Sequence, residues 1–299
     1  MEQIVDFING NLLGDSNIRI WKSKWGNYYY YKQTAKDKRF LEWQKKFLDK
    51  NNFHSYVSLD NKSTGCFALG FYINNCPYPE LMKLREKWYI EKHGKYAQKI
   101  IPRDLQLTPT VLLYWYLGDG SLIRRKNNSV NVPYIVLATN TFSKEDIDFL
   151  IQKLKELNLN FYPVKYKSGF TKKESGYCLY SKTQDGTPFR FFKLIGLECP
   201  KEIANCSTGR KGIYHEEKFF KDKWPTEEDW IKILSNVKGI GKSIKERREQ
   251  INMSRKELTR LLKVGKSYIR SIESGNRNPS VNKLRAILKT LDLNNLKIP

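Results

Sequence analysis

The sequence predicts an α+β protein of two related halves, each built on an antiparallel sheet, followed by a small all-α module. Three observations carry that reading. A short apolar stretch closing on Leu-Gly-Asp and a small residue occurs twice, at residues 8–16 and 112–120. Each copy leads into the same order of strand-like runs and amphipathic helices, the mark of an internal repeat. After Lys238-Gly239-Ile240-Gly241 the pattern becomes almost wholly helical. The expected units are residues 1–95, residues 96–235 with the joining segment at their start, and residues 240–299.

In the first half an aromatic run, Tyr28 to Thr34, reads as a strand, and residues 38–48 read as an amphipathic helix. A second strand is expected at residues 65–73, and Pro79 leads into a helix. The second half repeats this order. Residues 134–141 read as a strand, 144–157 as a helix and 176–182 as a strand, and Pro188 leads into the last helix. Ser143 followed by Asp146 suits a helix start, and Ile147, Leu150, Ile151, Leu154 and Leu157 recur at helical spacing. Alternation along Tyr28–Tyr31 sends two rings to each sheet face, one pair of them into the core. The last region divides into helices at residues 243–250, 254–262, 267–274 and 280–291.

Charge narrows the function. There are 54 Lys and Arg against 31 Asp and Glu, a formal net charge of +23, which attracts polyanions. Aromatic residues make up 13%, enough for a folded chain rather than a basic tail. Five cysteines form no CxxC pair and three histidines are scattered, so neither a zinc knuckle nor a disulfide framework is indicated. No signal peptide and no membrane-length apolar run is visible, so an intracellular monomer that does not enter membranes is expected.

Asp15 and Asp119 are the strongest candidates for chemistry. Each ends a short helix, where the negative end of the helix dipole disfavours a carboxylate. A divalent cation would reverse that penalty, with the carboxylates and terminal carbonyls forming a hard-oxygen site suited to Mg²⁺. Gly14 and Gly118 lack a β-carbon and would let the two helices approach. An Asp-Gly turn after a core helix is the plain alternative for Asp119, but the same arrangement occurring twice favours function.

Leu12-Leu13-Gly14-Asp15 and Leu117-Gly118-Asp119-Gly120 resemble the two signature helices of the LAGLIDADG homing endonucleases of the single-chain, two-repeat kind. The stretches Leu137-Ala138-Thr139-Asn140-Thr141-Phe142-Ser143 and Ile101-Pro102-Arg103-Asp104-Leu105 are also similar to that family, and the likeness covers about residues 1–225. The resemblance implies paired helices on a pseudo-twofold axis and saddle-shaped antiparallel sheets lying in the major groove. It also implies Mg²⁺-dependent cutting of both strands of double-stranded DNA across the minor groove, leaving short 3′ overhangs. By it Asp15 and Asp119 are the metal ligands, and Gln33 and Asn140, at corresponding strand ends, position the attacking water. Lys182 is the candidate for the basic residue that stabilises transition-state charge; its first-half counterpart would fall near Ile73. The first signature departs from the family in Asn9, Asn11 and Ser16, and the second in Tyr114 at the helix interface.

Arg19, Lys22, Lys24, Lys32, Arg124, Arg125, Lys126, Lys165 and Lys167 lie in or beside the expected hairpins and are candidates for DNA contact. Residues 240–299 carry 15 Lys and Arg against 5 Asp and Glu. Ser254 to Leu262, a turn with Gly265, and Lys266 to Gly275 read as a helix-turn-helix. Residues 244–293 resemble the Cro/repressor class, which implies a second helix in the major groove with Lys266, Ser267, Arg270 and Ser271 toward the bases and Arg255 nearby. The expectation is a site-specific Mg²⁺-dependent endonuclease with a long asymmetric target, extended by this arm. A non-cleaving DNA-binding regulator and an intron RNA maturase are the alternatives on the same scaffold.

Overall fold

The computed structural model describes residues 2–24, 26–60, 66–72, 78–91, 97–124, 131–167, 174–208, 218–237 and 239–293. The first half runs α1 (Glu2–Leu13), β1 (Asn17–Ser23), β2 (Gly26–Ala35), α2 (Lys38–Lys50), β3 (His54–Leu59), β4 (Phe67–Tyr72) and α3 (Glu80–Trp88). A small hairpin, β5 (Tyr89–Glu91) and β6 (Ala97–Lys99), straddles residue 95. The second half runs α4 (Pro109–Asp119), β7 (Gly120–Ile123), β8 (Tyr134–Ala138), α5 (Lys144–Glu156), β9 (Phe161–Lys167), β10 (Glu174–Ser181) and α6 (Thr187–Ile195). A 3-10 turn at Phe220–Lys223 and α7 (Glu227–Leu234) follow. The C-terminal arm is α8 (Ile240–Gln250), α9 (Arg255–Leu261), α10 (Lys266–Glu273) and α11 (Val281–Thr290).

The repeat is visible in the hydrogen bonding. The two sheets have the orders β1-β2-β4-β3 and β7-β8-β10-β9, antiparallel throughout. Side-chain period two sends Ile135 and Leu137 of β8 into the core and leaves Tyr134 and Val136 on the opposite face. In β2 only Tyr31 of the four consecutive tyrosines is fully buried, while Tyr28 is exposed. Helix starts are fixed by side chains: Asp37 accepts from the Arg39 amide, and Ser143 from the Asp146 amide. Thr226 with Asp229, and Ser254 with Glu257, form reciprocal capping boxes. α2 and α5 each stop at an asparagine in the left-handed region, Asn52 (φ 64°) and Asn158 (φ 58°), so even the helix ends repeat.

One continuous apolar cluster joins the parts, from Ile4 through Leu117 and Trp230 to Leu291. The second half also reaches over the first. The Phe220 ring stacks on Phe40 at 4.5 Å, Arg39 donates to the Asn205 carbonyl (2.9 Å), and Asp37 accepts from the Ser207 amide (2.7 Å). In the arm, Arg248 and Arg255 converge on the buried Glu273 carboxylate at 2.7 and 2.5 Å. Burial alone would raise that carboxyl; the two guanidiniums outweigh it and hold it below its ordinary range.

Candidate active site

The site starts at the seam between α1 and α4. A β-carbon on Gly14 would sit 3.4 Å from the Gly118 Cα, and one on Gly118 would sit 3.4 Å from the Gly14 Cα, so backbone packs on backbone here. Gly10 is tighter still: a β-carbon there would meet the Val111 carbonyl at 2.6 Å and the Tyr114 Cβ at 2.9 Å. That explains the Tyr114 departure, because the small residue has moved to the facing helix. The Tyr114 ring then packs edge-on to Phe7 at 4.6 Å. Two of the polar residues of the first signature are also accounted for. Asn11 donates to the Phe7 carbonyl (2.9 Å) of its own helix, and Asn9 accepts from the Trp88 indole (2.9 Å).

Both helices therefore end side by side. After α1 the Gly14 and Ser16 amides both donate to the Asn11 carbonyl, at 3.0 and 3.1 Å, leaving Asp15 exposed. α4 passes directly into β7, leaving Asp119 half-buried.

Two lysines outside the sequence-based site set complete this end of the molecule. The Lys99 ammonium donates to the carbonyls of Leu12 (2.8 Å), Gly14 (3.2 Å) and Ser16 (2.9 Å). The Lys223 ammonium donates to those of Tyr116 (3.1 Å), Leu117 (2.6 Å) and Gly118 (3.4 Å). Each closes the carbonyl end of one signature helix, where a cation is favoured. Burial pushes Lys99 down to about 8, against the pull of Asp119 and Asp15, which raise it. One ammonium therefore lies within electrostatic reach of both carboxylates.

Each helix-end carbonyl that accepts from Lys99 or Lys223 keeps a second lone pair, so carbonyl oxygen remains available beside the carboxylates. Among the described residues no group of three or more His, Cys, Asp or Glu could hold a metal by itself. Two carboxylates still fit Mg²⁺, which keeps waters and takes its other oxygens from substrate phosphates.

Gln33 and Asn140 do not correspond. Asn17 pairs with Lys32, and Gly120 with Leu137. Superposing Asp15 on Asp119 in that register puts Gln33 level with Leu137. Gln33 is buried, its Oε1 3.5 Å from the Tyr31 hydroxyl. Asn140 lies in a turn past β8, its carbonyl against Gly176, whose φ of +66° and missing β-carbon admit it. Lys182 is at the wrong end of its strand. Tyr180 pairs with Val136 and Ile123 with Tyr134, so Lys182 falls level with Ile123, roughly 13 Å along the strand direction from Asp119. Its supposed first-half counterpart near Ile73 lies outside the described residues.

The cations divide by what their head groups do. Lys22, Lys24 and Lys165 are exposed on the sheets, and Arg19 donates to the Asn17 side chain at 2.9 Å. Lys32 is instead committed to Asp60 in a largely buried pair at 2.6 Å. Arg124 is structural as well, binding Asp229 (2.7 Å) and the carbonyls of Asp222 (2.9 Å) and Trp224 (2.8 Å). Arg125, Lys126 and the side chain of Lys167 lie outside the described residues. In the arm Lys266 and Ser267 are exposed at the start of α10, Arg270 is exposed in its last turn, Ser271 is half-buried, and Arg255 is held by Glu273.

The comparisons with known proteins agree with the repeat and the arm. The model of the LAGLIDADG DNA endonuclease family matches residues 5–189, and a helix-turn-helix model matches residues 244–294. An uncharacterized protein of Methanocaldococcus jannaschii is 32% identical over 160 residues, 52% of this chain and 57% of that protein, so the match spans little more than half of the relative's length. The homing endonuclease I-WcaI bound to its DNA recognition sequence is similar at 23% identity, covering 65% of this chain and 81% of that one, with a TM-score of 0.47. I-DmoI in complex with DNA and Mn is similar at 13% identity, covering 64% and 96%, with a TM-score of 0.40.

Proposed function

The chain belongs to the LAGLIDADG DNA endonuclease family, and from that premise we propose that it is a monomeric homing endonuclease that cuts both strands of a long, asymmetric double-stranded DNA target with Mg²⁺. The observation that carries this reading is the meeting of Asp15, Asp119, Lys99 and Lys223 at the joined ends of α1 and α4. Asp15 and Asp119 are the residues that would hold Mg²⁺, which when bound supplies a more acidic water and neutralises charge on the phosphate. Lys99 and Lys223 hold fixed positive charge beside the same centre and favour the dianionic charge that develops at phosphorus. Three carbonyl acceptors apiece limit their motion, so little reorganisation is needed as that charge appears. Gln33, next to Lys32 at the Asp15 end of β2, is the residue we assign to orienting water in the first half. Lys22, Lys24 and Lys165 supply phosphate contacts on the sheets, and Lys266, Ser267 and Arg270 supply contacts from the arm.

No helix among the described residues is long and apolar enough to cross a membrane. The test is selection of cleaved duplexes from a randomised DNA library with Mg²⁺. A single recovered site, cut on both strands by the wild type and bound but uncut by Asp15→Asn and Asp119→Asn, is the expected result. Undiminished double-strand cutting by either variant overturns the assignment. Tight binding of a duplex that is never cut favours the regulator instead.

A further inference from the structure

The C-terminal arm is docked on the second half. α7 is buried in that half through Trp230, Ile233 and Leu234, with the Trp230 ring edge-on to Phe189 and Phe192. Arg124 of the second half clamps Asp229 in its first turn. Only five residues separate Leu234 from Ile240, where α8 starts. α11 then returns onto α7, and Arg285 meets Glu228 at 2.5 Å. Gly241 packs so closely under the Ile272 carbonyl that no β-carbon fits between them.

This docking opens a cleft of about 1450 Å³ between the outer end of the second sheet and the arm. One wall carries Tyr134, Tyr162 and Lys182, and the other carries Tyr268, Arg277 and Lys283. Tyr134, Tyr180 and Tyr162 form a row of rings on the face of the sheet turned away from the core, at centroid spacings of 5.5 and 6.1 Å. Tyr268 belongs to α10 and follows the exposed Ser267, and the Arg277 guanidinium lies over its ring at 5.0 Å. Among the described residues the one carboxylate lining the cleft, Asp185, is occupied by Asn160, Thr187 and Arg190. Lys182 and Arg277 thus face a shared space that joins the sheet face to the first turn of α10.

We propose that this cleft is a track for the DNA backbone, running from the second sheet to α10, so that the arm reads only the flank covered by the second half and at a fixed helical phase. The proposal rests on the DNA-binding reading above. Its chemistry is that of a duplex phosphate backbone: exposed cations on both walls release counterions, while flat rings and a stacked guanidinium pack against the sugars. Because the arm cannot swing, it extends the target on one side alone. Lys182, misplaced for catalysis, is well placed here.

The test needs binding, not cleavage. A duplex selected from a randomised library by binding to the full chain is lengthened on either side by about two helical turns, roughly 20 base pairs. The wild type is expected to gain on the order of 100-fold in affinity on one side only. Lys182→Glu with Arg277→Glu reduces that gain below about threefold and flattens the salt dependence by about two phosphate contacts. The milder pair Lys182→Gln with Arg277→Gln gives an intermediate gain, which separates lost contacts from lost folding. Equal gains on both sides, or a wild-type gain in the charge-reversed pair, overturn the proposal. Failure of the nuclease reading shows separately, as absence of cutting in a duplex that still displays the one-sided gain.

Discussion

The two signature helices reach the same end by different means. α1 carries Asn9 and Asn11, both bonded back to the fold, stops two residues before Asp15 and leaves that carboxylate exposed. α4 is apolar and aromatic throughout its buried face and runs straight into its strand, leaving Asp119 partly covered. The ammonium that closes α1 comes from a three-residue strand, and the one that closes α4 comes from a 3-10 turn. What the halves share is therefore a charge at a place, not a local motif. Gln33, level with Leu137 in the other half, shows how far the second shell of the two copies has diverged.

The comparison can be broken most severely at the carboxylates. Asp15→Asn and Asp119→Asn should each lower double-strand cleavage on the order of 10³-fold with binding of the selected duplex intact. If the half-buried Asp119 and the exposed Asp15 are equivalent in function, the two losses match within about threefold. The lysines come next. Lys99→Met and Lys223→Met should each cost about 10²-fold in cleavage, and strand-specific labelling should show each variant sparing a different strand preferentially. Loss of the same strand in both would mean that the ammonium groups do not divide between the sites.

Packing at the seam gives a smaller and graded contrast. Gly10→Ala drives a methyl into the Val111 carbonyl and should cost about 2 kcal/mol, read from the denaturant midpoint at unchanged slope. Gly118→Ala, with 3.4 Å available, should cost under about 1 kcal/mol. The mildest change is Gln33→Leu, which gives the first half the residue of the second. It should slow one strand about tenfold and leave the other unchanged, as followed by the appearance of nicked duplex. Equal slowing of both strands would place Gln33 in the support of the seam and not in the first site.

Much of this was legible in the sequence. The duplicated Leu-Gly-Asp, the repeated order of elements and the helix-turn-helix were read correctly because each depends on local spacing and apolar period. The helix at Glu227 and the β5–β6 hairpin were missed, since three-residue strands and two-turn helices leave little periodicity. Lys99 and Lys223 were missed for a different reason. With 54 basic residues in the chain, nothing local separates a buried lysine from an exposed one. Each is followed within three residues by a proline that precedes a capped helix, Pro102 and Pro225, and that weak parallel was the available signal. Lys182 misled because a strand end was matched without its direction. In an antiparallel ladder the end of β10 points away from Asp119. Lys32, Arg124 and Arg255 read as free cations because their partners, Asp60, Asp229 and Glu273, are 18 or more residues distant.

The strand that brings Lys99 to α1 lies beyond residue 95, and the segment that stacks Phe220 on Phe40 follows the second sheet in the chain. The first half is therefore completed by residues that come after it. A fragment cut near the middle of the chain would carry a signature helix without its closing ammonium and a surface at Phe40 without its cover. Two such fragments could complement each other, but a first-half fragment paired with its own copy could not rebuild the site. The repeat has, in this chain, become a dependence that runs one way, from later residues back onto α1 and α2.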